Sequence, residues 1–321
     1  MAEDSPLTWA VDLNAGSGAL LIALLAGHGQ WLLYIPGRTV HHASRGYRGD
    51  GKTDAKAPLR VLRRGRGDPA CRQEPDGTWW RCSRTPAGPV TLRIRDRPDS
   101  VGGRLISGTA WGPGADWALK QLPALLGADD EPDAFRVRHR VVAVAHRKHG
   151  ALRLARTGLV MESLVPSVLE QRITTGSAHH AWRRLLARYG EQPPAGVDRS
   201  RAAAILRTCS YAPRLEEAAA MELPETMARL QLIPGIGPWT AAETLQRTLG
   251  APDALTLGDL HLPVQIGYAL TGARGGTDEQ MLQLLEPYTG QRHRAARLIL
   301  LGGRLPNRRA HRAPHSRIAH L

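Results

Sequence analysis

The chain has 321 residues, 42% of them hydrophobic, with a formal net charge of +14 and an isoelectric point near 10.7. That length implies two or three domains, and that hydrophobic content excludes a wholly disordered chain. The positive excess points to a polyanionic partner, either nucleic acid or an anionic membrane surface. Three widely spaced cysteines, Cys71, Cys82 and Cys209, exclude a disulfide scaffold, a zinc finger and a four-cysteine iron–sulfur cluster. Reduced, structural thiols fit a cytoplasmic protein.

Residues 1–58 alternate strand-like and helix-like pieces. Trp9 to Asp12 reads as a strand end, Ala19 to Ala26 as an apolar helix and Trp31 to Ile35 as a buried strand. The run Ala19 to Ala26 is too short to span a bilayer, and Glu3 and Asp4 ahead of it are unlike the basic start of a signal peptide. This β-α-β fragment has too few strands for a stable sheet of its own. From Leu59 the pattern changes. Leu59 to Arg63 and Val90 to Arg95 alternate apolar and polar residues as half-buried strands do, Trp79 and Trp80 add strand propensity, and Pro86 to Pro89 makes a turn. Residues 59–112 are therefore expected to form a small antiparallel sheet.

After Gly114 the pattern is helical. Ala115 to Leu126 is amphipathic, and Leu159 to Arg188 forms one or two helices with Pro166 as a kink or boundary. Further helices are expected at Ser200 to Ala219, Glu225 to Gln231, Thr240 to Leu249, Asp259 to Leu270, Asp278 to Pro287 and Gln291 to Leu301. From Gln291 to Leu321 there are eight arginines and no carboxylate. Such a tail either lies along a phosphate backbone or forms a solvated basic end.

Two motifs carry chemistry. Leu232-Ile233-Pro234-Gly235-Ile236-Gly237-Pro238-Trp239-Thr240-Ala241 reads as helix, glycine turn, helix. Gly235 and Gly237 let the backbone approach a ligand without a Cβ clash, and the second helix presents unpaired N–H groups and its positive end. Pro238 suits the first helical position. Gly235, Ile236, Gly237 and Thr240 are thus candidates for holding a DNA phosphate. The second motif, Gly258-Asp259-Leu260-His261-Leu262, follows the apolar, strand-like run Ala254 to Leu257. It places Asp259 at a helix start, where capping would orient the carboxylate.

These motifs resemble those of the helix-hairpin-helix DNA glycosylase superfamily, in its 3-methyladenine DNA glycosylase II branch. Leu169-Glu170-Gln171-Arg172-Ile173-Thr174 and Ala110-Trp111-Gly112-Pro113-Gly114-Ala115-Asp116-Trp117 support the match. The resemblance implies an α+β fold, with a small antiparallel β domain over 59–112 and a helical domain over 113–321 whose two lobes flank the active-site cleft. It implies a monofunctional enzyme of base excision repair that flips an alkylated purine of the 3-methyladenine type out of double-stranded DNA and hydrolyses its N-glycosidic bond. Asp259 would be the catalytic carboxylate, stabilising oxocarbenium character on the sugar. Trp239 would be either a wall of the base pocket, stacking on the cationic base, or a core residue beneath the hairpin. Members that also nick the strand carry a lysine where Trp239 stands, so no Schiff base and no lyase activity are expected. Gln171 and Arg172 lie where relatives wedge a side chain into the gap left by the flipped base, or else on a polar helix surface. No metal and no cofactor are expected, beyond a monovalent cation on the hairpin carbonyls when DNA is bound. A monomer, associated with the nucleoid and not with membrane, is expected.

Two departures qualify the match. Residues 191–197 are shorter than the helical insertion usual there, and Glu243 replaces an aromatic. The alternative is a helix-hairpin-helix DNA-binding protein with impaired catalysis. Separately, Trp9 to Gly16 and Tyr47 to Lys56 resemble pieces of an insertion-sequence transposase with a RuvC-like nuclease fold. Only Asp12 and Asp54 could match its four metal-binding acids, so residues 1–58 are read as a transposase-like remnant and not a working nuclease.

Overall fold

The computed structural model describes residues 8–11, 31–34, 57–98, 104–149, 152–189, 199–302 and 305–306. The chain divides into two compact units, Met1–Asp129 and Asp130–Leu321. Asp12, Asp54 and the shortened stretch 191–197 lie outside the described residues.

The first unit is built on a six-stranded sheet of order β2-β1-β6-β5-β4-β3. Its strands are β1 (Thr8–Val11), β2 (Trp31–Tyr34), β3 (Cys71–Gln73), β4 (Trp79–Thr85), β5 (Gly88–Pro98) and β6 (Arg104–Trp111). Strands β3 to β6 form an antiparallel meander, with Trp79 opposite Ile94 and Leu92 opposite Ala110. Trp79, Leu92, Ile94, Ile106 and Ala110 alternate onto one face and are buried. Helix α2 (Ala115–Leu125) packs on that face through Leu119 and Leu122. A Cβ on Gly108 would stand 2.5 Å from the Leu122 side chain, so with any other residue there that leucine would have to shift. Because α2 belongs to this packing, the expected boundary after Gly112 falls instead between Asp129 and Asp130.

Two expectations change here. Leu59 to Arg63 is not a strand: Leu59 to Leu62 belong to helix α1 (Ala57–Leu62) and Arg63 follows its end. The helix's two leucines, Leu59 and Leu62, are three residues apart and both buried, which is helical spacing. The N-terminal fragment, for its part, does not stand alone. Strand β1 pairs antiparallel with β6, Trp9 opposite Ser107, and β2 pairs parallel with β1. The fragment thereby covers an edge whose N–H and C=O groups would otherwise be open to another chain. A chain beginning at Leu59 is therefore expected to melt lower than the full chain and to associate as concentration rises. Thermal melts and light scattering would measure this, and identical behaviour of the two chains would show the fragment to be dispensable.

The second unit is helical. Its elements are α3 (Arg140–His149), α4 (Val160–Leu169), α5 (Thr175–Tyr189), α6 (Arg199–Ser210), α7 (Ala212–Glu216), α8 (Leu223–Gln231), α9 (Pro238–Thr248), α10 (Leu262–Thr271), α11 (Asp278–Leu285) and α12 (Arg292–Gly302), with short 3-10 turns between some of them. They pack as two groups. In one, α4 is central, with Val160, Leu164, Val168 and Leu169 fully buried, and α5, α6, α7 and α9 pack against it. In the other, α3, α10, α11 and α12 enclose Val142, Ala145, Ile266, Met281, Leu285 and Ile299. Pro166 lies inside α4, and the break expected there comes at 170–174, where Arg172 takes φ 53°. The helix expected over Ser200 to Ala219 is likewise split, since Pro213 begins a new helix, α7.

The basic C-terminal run is only partly a tail. Arg292 pairs with Asp253, Arg294 is buried against Asp130, and Arg297 is held down at about 10 by burial and by Arg247 nearby. These three arginines are structural, and those from Arg304 on lie outside the described residues. Between them His293 is buried, and burial, with Arg297, Arg247 and Arg294, holds its pKa well below the ordinary 6.5. The native state thus refuses a proton that the unfolded chain accepts below 6.5. Stability should accordingly fall as pH drops through that value, by up to about 1.4 kcal/mol per pH unit. His146 and His149 shift in the same direction. Melting the parent and His293→Asn between neutral and mildly acid pH should give a shallower decline in the variant. Equal slopes would remove His293 from the account.

Candidate nucleic-acid interface and active site

The hairpin is built by α8, a turn and α9. Ile236 is 4% exposed, and its N–H closes the turn onto the Ile233 carbonyl at 2.9 Å. Its N–H is therefore spent inside the hairpin, and the residue serves as a buried anchor. The two glycines differ. Gly235 has φ 99°, and a Cβ there would lie 3.1 Å from that of Ala204, so the turn itself requires glycine. Gly237, at the N-cap of α9, has φ −93°, and a Cβ there would meet nothing within 4 Å. What Gly237 provides is open space over the helix end. No side chain caps α9, and its first backbone bond runs from Ala241 N–H to Gly237 O. The N–H groups of Trp239 and Thr240 precede that bond at the positive end of the helix.

Thr240 is 2% exposed and its hydroxyl points inward, accepting from Gln171 Nε2 at 2.8 Å. The same amide donates to Gly235 O at 2.9 Å, and the Gln171 carbonyl in turn accepts from Arg201. Gln171 thus ties the 170–174 turn to the hairpin instead of standing free as a wedge. Arg172 beside it is exposed, in the left-handed backbone region that no other non-glycine among the described residues adopts. Of the two wedge candidates, Arg172 is the one presented to solvent.

The hairpin carbonyls already accept hydrogen bonds within the chain. Pro234 O accepts from the Arg207 guanidinium at 3.1 Å, Gly235 O from Gln171 and Ile233 O from Ile236.

Asp259 lies in the connection from α9 to α10, hence where the two helix groups meet. Gly258 before it has φ 79°, and its N–H donates to Asp278 Oδ2 at 2.6 Å. Helix α10 begins at Leu262, later than expected, yet the carboxylate still serves its N-terminus. Asp259 Oδ1 accepts from the N–H groups of His261 at 2.7 Å and Leu262 at 2.8 Å. Oδ2 accepts from the Trp239 indole N–H at 3.1 Å. Both residues are half-buried. Trp239 therefore touches the acid directly, a contact that the sequence motifs, 20 residues apart, did not reveal. A carboxylate fixed at both oxygens and still partly open to solvent is preorganised to face developing positive charge.

The run Ala254 to Leu257 is not a strand. Its backbone is fixed by α9 instead: Gln246 donates to Ala254 O at 2.8 Å and to the Thr256 hydroxyl at 2.7 Å, and Thr256 donates to Glu243 Oε1 at 2.8 Å. Glu243 also pairs with Arg247 at 2.8 Å. Burial lowers the Arg247 guanidinium, but Glu243 and Glu170 outweigh it and hold it above its ordinary value. Glu243, standing where an aromatic was expected, is thus a bracket for the loop that ends at Asp259.

Among solved structures, the fold has parallels. The chain superposes on a 3-methyladenine DNA glycosylase from Archaeoglobus fulgidus with a TM-score of 0.57 at 17% identity, covering 81% of this chain and 93% of that one. The chain has the fold of the DNA glycosylases. It also superposes on MBOgg1 in complex with a low-affinity DNA ligand, with a TM-score of 0.56 at 13% identity over 72% of this chain and 86% of that one. An 8-oxoguanine glycosylase/lyase from Clostridium acetobutylicum, in complex with DNA, gives 0.51 at 9% identity, covering 77% and 90%. The N-terminal fragment has a different affinity. Residues 1–61 match the family described as Transposase, of the DEDD IS110 type. A 42 kDa protein of insertion element IS900 from Mycobacterium paratuberculosis is 70% identical over 56 residues, and a 44.8 kDa protein of IS116 from Streptomyces clavuligerus is 52% identical over 54. Each match covers 17% of this chain and 14% of that protein, so the chain spans a small part of the insertion-element proteins it resembles. No helix among the described residues is long and apolar enough to cross a membrane, and none of their acidic, histidine and cysteine side chains group as a metal site.

Proposed function

We propose that the chain is a monofunctional DNA glycosylase that hydrolyses the N-glycosidic bond of alkylated purines of the 3-methyladenine type in double-stranded DNA. The observation that carries the reading is the Asp259 carboxylate, held by two backbone N–H groups and the Trp239 indole at the junction of the helix groups. The hairpin end of α9 would bind a phosphate through the N–H groups of Trp239 and Thr240 over the open face of Gly237. With the flipped nucleotide in place, Asp259 would stabilise positive charge on the sugar as the base departs and help aim water at C1′. A tryptophan in place of a lysine supplies no amine for a Schiff base, so the product would be an abasic site with the strand intact. Arg172 would fill the gap in the duplex. The protein would act as a monomer in the cytoplasm.

The test is incubation of the full chain with methylated duplex DNA in a chelating buffer. Release of free 3-methyladenine without strand scission is expected. Scission without added amine or base would refute the monofunctional reading, and duplex binding with no base release would reduce the protein to a DNA-binding module.

A further inference from the structure

The first unit's sheet has two faces, and only one is covered by α2. On the other, alternate residues of β3 to β6 place Arg72, Trp80, Arg84, Arg93, Arg95 and Trp111 side by side. Trp80 sits opposite Arg72 on one side and Arg93 on the other. The Trp80 and Trp111 rings stack, with centroids 5.7 Å apart and planes at 19°. The Arg93 guanidinium lies 5.7 Å from the Trp80 ring and 5.2 Å from the Trp111 ring, while that of Arg72 lies 5.8 Å from Trp80. Arg93 also donates to Thr109 at 3.1 Å, and Arg72 pairs with Glu74 at 3.1 Å. Trp111 is 38% exposed, the Arg72 side chain is 62% exposed, and Arg84 is exposed.

We infer that this face binds a single strand of nucleic acid, with a base stacked on Trp111 and the backbone lying along the arginines. The open face of an antiparallel sheet ordinarily carries polar residues, and here it carries a stacked tryptophan pair. Stacking on the rings holds two guanidinium groups in the sheet surface, where they form a fixed strip of positive charge. Among the described residues, four arginines share this face with the carboxylate of Glu74, a balance that favours a polyanion. A flat face with an exposed ring selects unpaired bases, because the faces of paired bases in a duplex are already stacked on their neighbours. This site is built from residues of the first unit alone and does not depend on glycosylase activity.

The test is fluorescence anisotropy of a labelled deoxythymidine 12-mer titrated with the full chain over a salt series. Binding that weakens with salt is expected. Trp111→Ala should lower affinity about fivefold or more, the size expected for loss of one base–aromatic stack. Trp111→Phe should restore most of it. Arg84→Glu should weaken binding and flatten the salt dependence. Unmodified duplex should be bound equally by all these variants. Circular dichroism checks folding, and if Trp111→Ala misfolds, the exposed Arg84→Glu decides. Failure of the parent to bind the oligonucleotide, or parent-like binding by Arg84→Glu together with Trp111→Ala where that variant folds, would overturn the inference.

Discussion

Asp259→Asn is expected to lower release of 3-methyladenine by about a hundredfold or more while duplex binding persists. The carboxylate contributes charge at the point where the departing base leaves the sugar positive, and an amide of the same shape lacks that charge. The substitution also has a local structural effect. Asp259 accepts three N–H groups, two of backbone on one oxygen and the Trp239 indole on the other. An amide offers one oxygen and one NH2, so whichever way it turns, a donor faces a donor. That conflict is expected to cost about 1–3 kcal/mol in a half-buried setting. Trp239→Phe separates the two effects, since it removes the indole donor and leaves the charge. On this reading it lowers base release by roughly tenfold, in line with a hydrogen bond to a charged group. The double variant Trp239→Phe/Asp259→Asn should melt higher than Asp259→Asn alone. Undiminished turnover in Asp259→Asn would remove the carboxylate from the mechanism, and the proposed chemistry with it.

What was legible in the sequence depended on how local the cause was. The hairpin could be read because Gly235 must take a positive φ, Pro238 must open a helix and both constraints act within a few residues. The strand Gly88–Pro98 was legible from alternation, which the α2 face enforces, and Trp79–Thr85 from the strand propensity of its two tryptophans. Helix α3 was missed because Arg140–His149 opens with a β-branched run and buries only Val142 and Ala145, too few positions to show a helical period. Leu59 to Arg63 mimicked a strand, since five residues fit either period and packing decided between them. At the site, the motifs named Trp239 and Asp259 separately. Their hydrogen bond, and the link from Gln171 to Thr240 across 69 positions, are tertiary facts without a local signature. Arg292, Arg294 and Arg297 were misread for the same reason. A run of positive charge is usually solvated, and the partners that draw Arg292 and Arg294 inward lie far away in sequence.

The most distant of these partners carries the second large effect. Asp130→Ala is expected to destabilise the helical unit by about 3–5 kcal/mol, because it leaves a buried guanidinium without its counter-charge. Arg294 is 2% exposed, and besides Asp130 it donates to Leu152 O and Gln291 Oε1, both at 2.8 Å. Asp130 is a hub in its own right: Oδ2 accepts from Leu154 N–H at 2.9 Å, and its carbonyl accepts from Arg153 at 3.0 Å. The pair therefore pins α12 to the segments at 130 and 152–154, which lie on either side of α3 in the chain. Asp130→Asn should cost less, since one amide oxygen can still accept, and the double variant Asp130→Asn/Arg294→Met should cost less than Asp130→Ala because it removes both buried charges together. Against a typical domain stability of about 5–15 kcal/mol, the alanine variant should show a markedly lower urea midpoint. Equal midpoints for Asp130→Ala and the parent would mean that water reaches Arg294, and that the pair is not the clasp its burial indicates.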